Sequence, residues 1–256
     1  MAAPAVIETI DLTKVYPGGV TAVDGMNLTV AQGEIFGLLG PNGAGKTTTI
    51  QLLLGLTSPT AGEIRVLGLD LAGHRREILQ RCNFSSAYVS LPSNLTVREN
   101  LEVFARLYAV RDRRRRIAEV LELFEIGDTA KRLTGALSSG QATRLNLCKA
   151  FLNDPEVLFL DEPTASLDPD IAEKVRVTLS RIQRERSVSM LYTSHNMREV
   201  EILCDRILFL SRGRAVREGT PAEILAASRA ESLEQLFIAI ARDGDVRDAG
   251  KDGEAR

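Results

Sequence analysis

The stretch Gly40-Pro41-Asn42-Gly43-Ala44-Gly45-Lys46-Thr47 fits the pattern G-x-x-x-x-G-K-[ST]. It lies between an apolar run typical of a buried strand, Glu34–Leu39, and a segment typical of a helix, from Lys46 to about Leu54, which is the context that the pattern requires. The glycines let main-chain N–H groups close around phosphate oxygens, and the helix turns its positive end toward the same anion. The stretch therefore predicts a strand–loop–helix unit that binds phosphate.

Two side chains of this unit have expected tasks. We expect Lys46 to reach the β- and γ-phosphates of a nucleotide and the Thr47 hydroxyl to bind Mg²⁺. The residues expected around the phosphates, called here the phosphate loop, are Gly40, Pro41, Asn42, Gly43, Ala44, Gly45, Lys46, Thr47 and Thr48.

Two further apolar runs end in polar clusters. Val157–Leu160 leads into Asp161 and Glu162, and Val188–Tyr192 leads into the sequence Thr-Ser-His-Asn, which contains His195. Ligands of open α/β sheets bind beyond the carboxyl ends of the strands, so we expect these clusters to converge with the phosphate loop. The pattern predicts an α/β fold with a P-loop NTPase core and a largely parallel sheet.

The polar clusters carry the chemistry expected of nucleotide hydrolysis. Asp161 is placed to hold the magnesium ion and its water shell. Glu162 could take a proton from the water that attacks the γ-phosphate, and His195 could hold Glu162 and that water in line. With Lys46, these two form the expected catalytic set, while His74, in a predicted loop, is given no role.

A second anion site is predicted at Leu137-Ser138-Ser139-Gly140-Gln141, called here the signature loop. It precedes a predicted helix that runs to about Leu152, and a small, hydroxyl-bearing loop at a helix N-terminus binds anions. One chain needs only one phosphate loop. The second site is therefore expected to serve the nucleotide of another molecule.

Around the predicted core lie two additions. Segments 5–32 and 62–70 predict antiparallel strands at the edge of the sheet, and 96–153 predicts an inserted helical region that opens with a capping box at Thr96. We expect one domain over 1–242, with a core of about 1–86 and 154–242 and a helical subdomain of about 87–153. A hairpin near 206–218 and helices starting at Thr220 and Ser232 complete it, and 243–256 is predicted to be a disordered tail.

The composition excludes several function classes. Hydrophobic residues make up 44% and charged residues 26%, and the net charge of -2 argues against a nucleic-acid partner. The three cysteines are far apart and lack CxxC spacing, which is typical of a reducing cytosol rather than a disulfide scaffold. The start shows no signal-peptide pattern, and the apolar runs are far shorter than the roughly 20 residues that span a bilayer. We expect the chain not to cross a membrane by itself.

The order and spacing of GPNGAGKT, LSSGQ, VLFLDEP, Ser166-Leu167-Asp168 and His195 resemble the ATP-binding subunit of ABC transporters over roughly residues 5–240. The resemblance implies a head-to-tail dimer in which each ATP lies between one chain's phosphate loop and the other chain's signature loop. It implies that Tyr16 stacks on adenine and that Asp168 couples the two sites. It also implies membrane-embedded permease subunits and a place at the cytoplasmic face of the cell membrane.

The chain departs from the family pattern at two positions. Ala87 stands where the family has a glutamine that touches Mg²⁺ and the attacking water, and Ser139 stands where the signature has glycine. Alanine has no polar group for that task, so we expect slower hydrolysis or a different coupling to the partner. Serine would be strained if its backbone needed a positive φ. We expect an active site nevertheless.

Further segments resemble ATPases paired with exporter-type permeases of the ABC-2 class. They are the opening at Gly37, the run LTVRENLEVFARLY and the C-terminal Ser232–Ile240. The last also reads as an amphipathic helix with apolar residues at 233, 236, 237 and 240. The run Arg113–Arg116 is interpreted as a solvated face rather than a contact for acidic lipid or a partner.

Two alternatives stay open at the level of sequence, and two further classes are disfavoured. The chain could be an ATP-binding regulatory module with little turnover, or the partner of a different ATPase chain in an asymmetric heterodimer rather than a homodimer. A soluble ABC ATPase of translation or DNA repair is disfavoured, because the chain shows neither a duplicated domain nor a long coiled coil. A GTPase is disfavoured because the NKxD motif is missing.

Overall fold

The structure is a computed structural model that describes residues 4–87, 89–228 and 230–243. Its strands are β1 (Ala5–Tyr16), β2 (Val20–Ala31), β3 (Ile35–Leu39), β4 (Ala61–Val66), β5 (Leu69–Asp70), β6 (Cys82–Ser86), β7 (Val157–Asp161), β8 (Ser189–Thr193), β9 (Arg206–Ser211) and β10 (Arg214–Gly219). Its helices are α1 (Lys46–Leu53), α2 (Leu71–Arg81), α3 (Val97–Leu107), α4 (Arg113–Leu123), α5 (Ser139–Ala150), α6 (Pro169–Arg186), α7 (Met197–Leu203), α8 (Pro221–Ala227) and α9 (Leu233–Asp243).

The central sheet has the strand order β10-β9-β3-β8-β7-β6 over the described residues. Strands β9, β3, β8, β7 and β6 are parallel neighbours, and β10 pairs with β9 as an antiparallel hairpin. Strands β3, β7 and β8 are buried along their whole length, as their continuous apolar sequences predict. The α/β prediction is confirmed, and the carboxyl ends of the parallel strands share one edge.

The predicted antiparallel strands are confirmed, but they form a second sheet of their own instead of extending the edge of the central sheet. Among the described residues the strand order of this second sheet is β2-β1-β4-β5, and every pairing is antiparallel. The sheet packs its apolar face on the central unit through Leu12, Met26 and Val66, which are all buried. It thereby brings the end of β1 close to the phosphate loop.

Alternate residues of each central strand face opposite hydrophobic clusters. On β3, Ile35 and Leu39 join the cluster that contains helices α3 to α5, while Phe36 and Leu38 join the one under the antiparallel sheet. On β8, Tyr192 faces the first cluster. This two-residue period is that of a strand covered on both sides.

The helices between β6 and β7 form one side of the molecule. Helix α4 and the residue after it present an apolar face to the core, because Ile117, Val120, Leu121 and Phe124 are all buried. The arginine run at its start is mostly solvated and paired with acids, as in the 2.7 Å contact of Arg115 with Glu119. Arg116 is the exception to this solvation: its side chain is only 15% exposed, and it donates to the Phe151 carbonyl in addition to pairing with Asp154.

Several predictions near the ends of helices can be compared directly. The caps at Thr96, Thr220 and Ser232 are confirmed by side-chain bonds to main-chain N–H groups three residues on. The loop predicted around His74 is wrong for the segment as a whole, which forms α2 with an Asp70 cap, although His74 itself has a non-helical backbone at a kink in that helix. The predicted tail lies outside the described residues except for Asp243, which ends α9. No helix in the described ranges is long and apolar enough to span a membrane.

Candidate functional site

The phosphate loop joins β3 to α1 and is pressed against neighbouring main chain. Gly40 has a φ of +151°, and a Cβ there would lie 2.3 Å from the Leu210 carbonyl oxygen. Gly45 has a φ of +110°, and its Cβ would lie 2.4 Å from the Ala22 carbonyl oxygen. Both positions therefore admit only glycine. Gly45 is also the residue that precedes α1. Because glycine has no side chain, no side-chain group caps the N-terminus of this helix.

Lys46 folds back over the loop from the first position of α1. Its Nζ donates to the carbonyl oxygens of Gly40 at 2.5 Å and Pro41 at 3.2 Å, and the residue is buried. Burial lowers the pKa of Lys46, while the carboxylates of Glu162 and Asp161 act in the opposite direction. The ammonium group therefore lies in the electrostatic field of both acids.

Asp161, the last residue of β7, is held by hydroxyl groups of the two flanking strands. Thr193 of β8 donates to its Oδ1 at 2.8 Å, and Ser86 of β6 donates to its Oδ2 at 3.4 Å. The strand register explains this, because Asp161 is the direct partner of both residues. The carboxylate is thus fixed and buried at the edge where the parallel strands end.

Glu162 follows Asp161 in an unusual conformation. Its φ is +53°, and its main-chain N–H donates to the carbonyl and hydroxyl oxygens of Thr193 at 3.2 and 3.1 Å. The side chain is 7% exposed, and burial raises the pKa of Glu162, an effect that the charges of His195 and Lys46 partly offset. A buried carboxylate with a raised pKa beside a phosphate site is suited to accept a proton.

His195 lies directly against this carboxylate. Its Nε2 is 3.1 Å from Glu162 Oε1, although the geometry is not that of a well-formed hydrogen bond. The ring also meets Phe237 of α9 edge-on, with 6.3 Å between ring centroids. The imidazole is 44% exposed, so it remains accessible from the cleft.

A cleft of about 720 Å³ gathers most of the predicted site. It is lined by Tyr16 at the end of β1, by Pro41–Thr48, and by Asp161, Glu162 and His195. Val20 and Leu56 add apolar surface, and Lys14 Nζ lies 5.2 Å from the centroid of the Tyr16 ring. A volume of this size is typical of sites that bury a small organic ligand.

The signature loop and Asp168 are not among the described residues that line this cleft. Ser138 caps α5, accepting from Gln141 N at 3.2 Å while Gln141 Oε1 accepts from Ser138 N at 3.1 Å. Ser139 is the first helical residue of α5, so serine is not strained there. A Cβ on Gly140 would lie 3.5 Å from the Leu167 side chain, which places the signature loop beside the segment that ends at Asp168.

Ala87 offers only its main chain to the site, donating from N to the Asp161 carbonyl oxygen at 3.3 Å. The neighbouring Ser86 and Thr193, which hold Asp161, were not among the predicted site residues. Their positions could have been found from the sequence, because each is the last residue of a strand that neighbours β7. Glu199, described below, had no such signal.

Comparison with known proteins agrees with this geometry. The family model described as "ABC transporter" matches residues 23–165. The bacitracin transport ATP-binding protein BcrA of Bacillus licheniformis is 39% identical over 213 residues, which cover 83% of this chain and 69% of BcrA. The Nod factor export ATP-binding protein I of Rhizobium johnstonii is 40% identical over 87% of this chain and 71% of its own length. The probable multidrug transporter ATP-binding protein YbhF of Escherichia coli is 38% identical, and this chain spans only 42% of it.

Solved structures of ABC transporter ATP-binding subunits also match this chain. A structure described as the ATP-binding subunit of an ABC transporter matches with a TM-score of 0.82 and 26% identity, covering 92% of this chain and 99% of the other. MJ0796, an ABC transporter cassette solved as a dimer, matches with a TM-score of 0.78 and 26% identity over 84% of this chain and 98% of its own. The chain therefore belongs to the ABC transporter family, as one of its ATP-binding and ATP-hydrolysing subunits.

Proposed function

We propose that this chain binds ATP with Mg²⁺ in the cleft, hydrolyses it there, and thereby drives export through separate membrane subunits. The observation that carries the proposal is the convergence of Lys46, Asp161, Glu162 and His195 on one cleft beside the phosphate loop. Each of these groups has a distinct task in phosphoryl transfer to water.

The residues present fit a magnesium ion. The Thr47 hydroxyl and the Asp161 carboxylate are oxygen donors, which Mg²⁺ prefers. Within the described ranges no group of three or more His, Cys, Asp or Glu side chains could hold a metal by itself. Phosphate oxygens and water would therefore complete the coordination. When bound, the ion would neutralise charge on the β- and γ-phosphates.

In the proposed mechanism the protein contributes position and charge. Lys46 exchanges the carbonyl oxygens of Gly40 and Pro41 for phosphate oxygens. Glu162 accepts the proton of the attacking water, and His195, already 3.1 Å from that carboxylate, holds base and water in line. Tyr16, which lines the same cleft, stacks on the adenine.

We further propose that the signature loop, with Ser138, Ser139, Gly140 and Gln141, covers the nucleotide of a second ATP-binding subunit, and that Asp168 links the two sites. Support comes from its position outside the chain's own cleft, at the uncovered start of α5. The dimeric structure of MJ0796 supports such a pairing. A homodimer is the leading form and a heterodimer the alternative.

Export through permease subunits, at the cytoplasmic face of the membrane, is the proposed use of this hydrolysis. The names of the relatives support it, since they refer to bacitracin transport, multidrug transport and Nod factor export. Helix α3 supports it too: Val103 and Leu107 are 45% and 71% exposed and lie one turn apart, which offers an apolar surface for a permease. No nucleic-acid partner is proposed.

The test is the mass in solution of Glu162→Gln with and without MgATP, together with turnover of the wild type and the variant. We expect measurable wild-type hydrolysis, loss of at least a hundredfold in Glu162→Gln, and doubling of the variant's mass with MgATP. A monomer at saturating ATP would favour the heterodimer. Wild-type ATP hydrolysis no faster than the background rate would favour the regulatory module, the alternative that the loss of a polar group at Ala87 supports.

A further inference from the structure

We propose that Glu199 of α7 is a positioning residue that fixes the loops carrying Glu162 and His195. The inference rests on the proposed roles of those two residues, because it assigns to Glu199 the task of holding them. Glu199 itself does not line the nucleotide cleft.

The Glu199 carboxylate is the centre of a buried polar network. Its Oε2 accepts from Thr164 Oγ1 at 2.6 Å and from Tyr192 OH at 3.1 Å, and Ser194 Oγ lies 3.4 Å away. All three hydroxyl-bearing residues are buried. A carboxylate that gathers donors from separate segments fixes those segments relative to one another.

The second oxygen of Glu199 is occupied as well. Oε1 accepts from Arg176 Nη1 of α6 at 2.8 Å, with the side chains only 6% and 16% exposed. Charge-assisted hydrogen bonds of this kind are shorter and stronger than neutral ones. Breaking a buried pair is costly because the remaining charge has no partner. The network therefore resists displacement.

The network partners lie next to the proposed catalytic groups in the chain. Thr164 is two residues after Glu162, and Ser194 directly precedes His195. On the other side the same two loops meet through the 3.1 Å contact of His195 with Glu162. The loops are thus held at two points, and Glu199 supplies the one that is farther from the nucleotide.

A role limited to the helix end does not explain this arrangement. Glu199 is in the first turn of α7, where an acid stabilises the helix dipole, and Asn196 caps its N–H. An acid with that role alone can remain in solvent. Glu199 is instead buried against residues of three other segments, at the expense of desolvating a charge.

The test compares Glu199→Gln with Glu201→Gln, an exposed glutamate two residues along the same helix. Glutamine keeps the shape but removes the negative charge, and its NH2 group cannot accept hydrogen bonds as the carboxylate oxygen in its place does. We expect kcat of Glu199→Gln to fall about 10- to 100-fold, because misplacement of catalytic groups by about 1 Å has effects of this size. The KM for ATP should change by less than about threefold, because the phosphate loop is untouched. Glu201→Gln should match the wild type.

Two milder variants keep the test decisive if Glu199→Gln does not fold. Thr164→Val and Ser194→Ala remove single hydroxyls and leave the Arg176 pair, and each should lower kcat with KM retained. A normal kcat in Glu199→Gln, or in both milder variants, would overturn the positioning role of Glu199. The proposed function would still stand in that case if Glu162→Gln is inactive. Wild-type turnover at background would overturn both. A rise in KM with unchanged kcat would also contradict the role.

Discussion

At the scale of single residues, Glu162 combines two unfavourable features. Its backbone has a φ of +53°, a conformation that costs a non-glycine residue of order 1–3 kcal/mol, and its carboxylate is buried. Hydrogen bonds from its N–H to Thr193 hold the strained backbone in place. Backbone strain and charge burial of this kind concentrate at sites where a side chain must point at a reacting atom. The position of Glu162 in the cleft agrees with such a role.

The raised pKa of Glu162 predicts a pH dependence of hydrolysis. The base acts as a carboxylate, so activity should rise as pH rises through its pKa. Because burial raises that pKa above its ordinary value of 4.5, the acid limb of kcat should have its midpoint above pH 4.5. Rates measured between pH 5 and 8 test this, and a profile that is flat down to pH 5 would contradict it.

The same shift has a consequence for stability with the opposite sign. A carboxyl whose pKa is higher in the folded state binds its proton more tightly there than in the unfolded chain. Stability contributed by this group therefore falls as pH rises through that window. Glu162→Gln should accordingly melt at a higher temperature than the wild type at neutral pH, and Glu201→Gln should not.

Much of the candidate site could be predicted at this scale. Asp161, Glu162 and His195 were predictable because each lies at or just after the end of a buried strand, and parallel strands bring such residues to one edge. Glu199 was not, because its position after Asn196 is also typical of an ordinary helix start. Only the packing of α6 and of Thr164 against it reveals that it is buried, and such contacts are absent from local sequence.

At the scale of elements, helix starts were predictable where a local pattern defines them. The boxes at Thr96, Ser138 and Thr220 each bond reciprocally to the residue three positions on, within the part of the chain described. Helix α2 was missed because it buries only Leu71 and Ile78 and so presents no periodic apolar stripe. Its Asp70 cap was the available signal.

Two of these caps give a matched pair for experiment. Thr220→Ala and Ser138→Ala should each lower the free energy of unfolding by about 1 kcal/mol, because each removes the acceptor for a main-chain N–H. If the signature loop contacts a second chain's nucleotide, Ser138→Ala should also reduce ATP turnover and Thr220→Ala should not. Equal turnover in both variants, measured alongside denaturant unfolding, would contradict that contact.

At the scale of the whole molecule, the central sheet joins the helical side to the nucleotide side. One hydrophobic cluster packs Leu101 of α3, Ile117 of α4 and Leu147 of α5 together with Leu160 of β7 and Met190 of β8. A shared core of this kind makes separate unfolding of the inserted helices unfavourable. Over its described residues the chain should therefore unfold as one cooperative unit.

Thermal melting tests this unity and the nucleotide site together. We expect a single transition, raised by roughly 5–10 °C when MgATP is present at about a hundred times its Kd, since that occupancy adds about 2.7 kcal/mol. Lys46→Ala should reduce the shift, whereas Lys174→Ala, a change to an exposed lysine, should keep it. Two transitions would indicate that the helical region folds separately.

The overall architecture followed from sequence because it depends on patterns that repeat along the chain. Continuous apolar runs at β3, β7 and β8 indicated a parallel sheet covered on both faces, and the Val-, Ile- and Thr-rich start indicated the antiparallel one. Strand order within the sheet was not predictable in the same way. It depends on which strands pair across long stretches of chain, as β3 does with β8 and β9.

The separation of the phosphate loop from the signature loop has a genetic consequence. If each working site takes one loop from each of two chains, a lesion in either loop damages a different site of the pair. A gene copy altered at Lys46 and another altered at Gly140 would then complement each other in one cell, because their mixed dimer retains one intact site. By the same logic, either altered copy expressed beside the normal gene would leave one intact site in every mixed dimer, so it should not act as a dominant inhibitor.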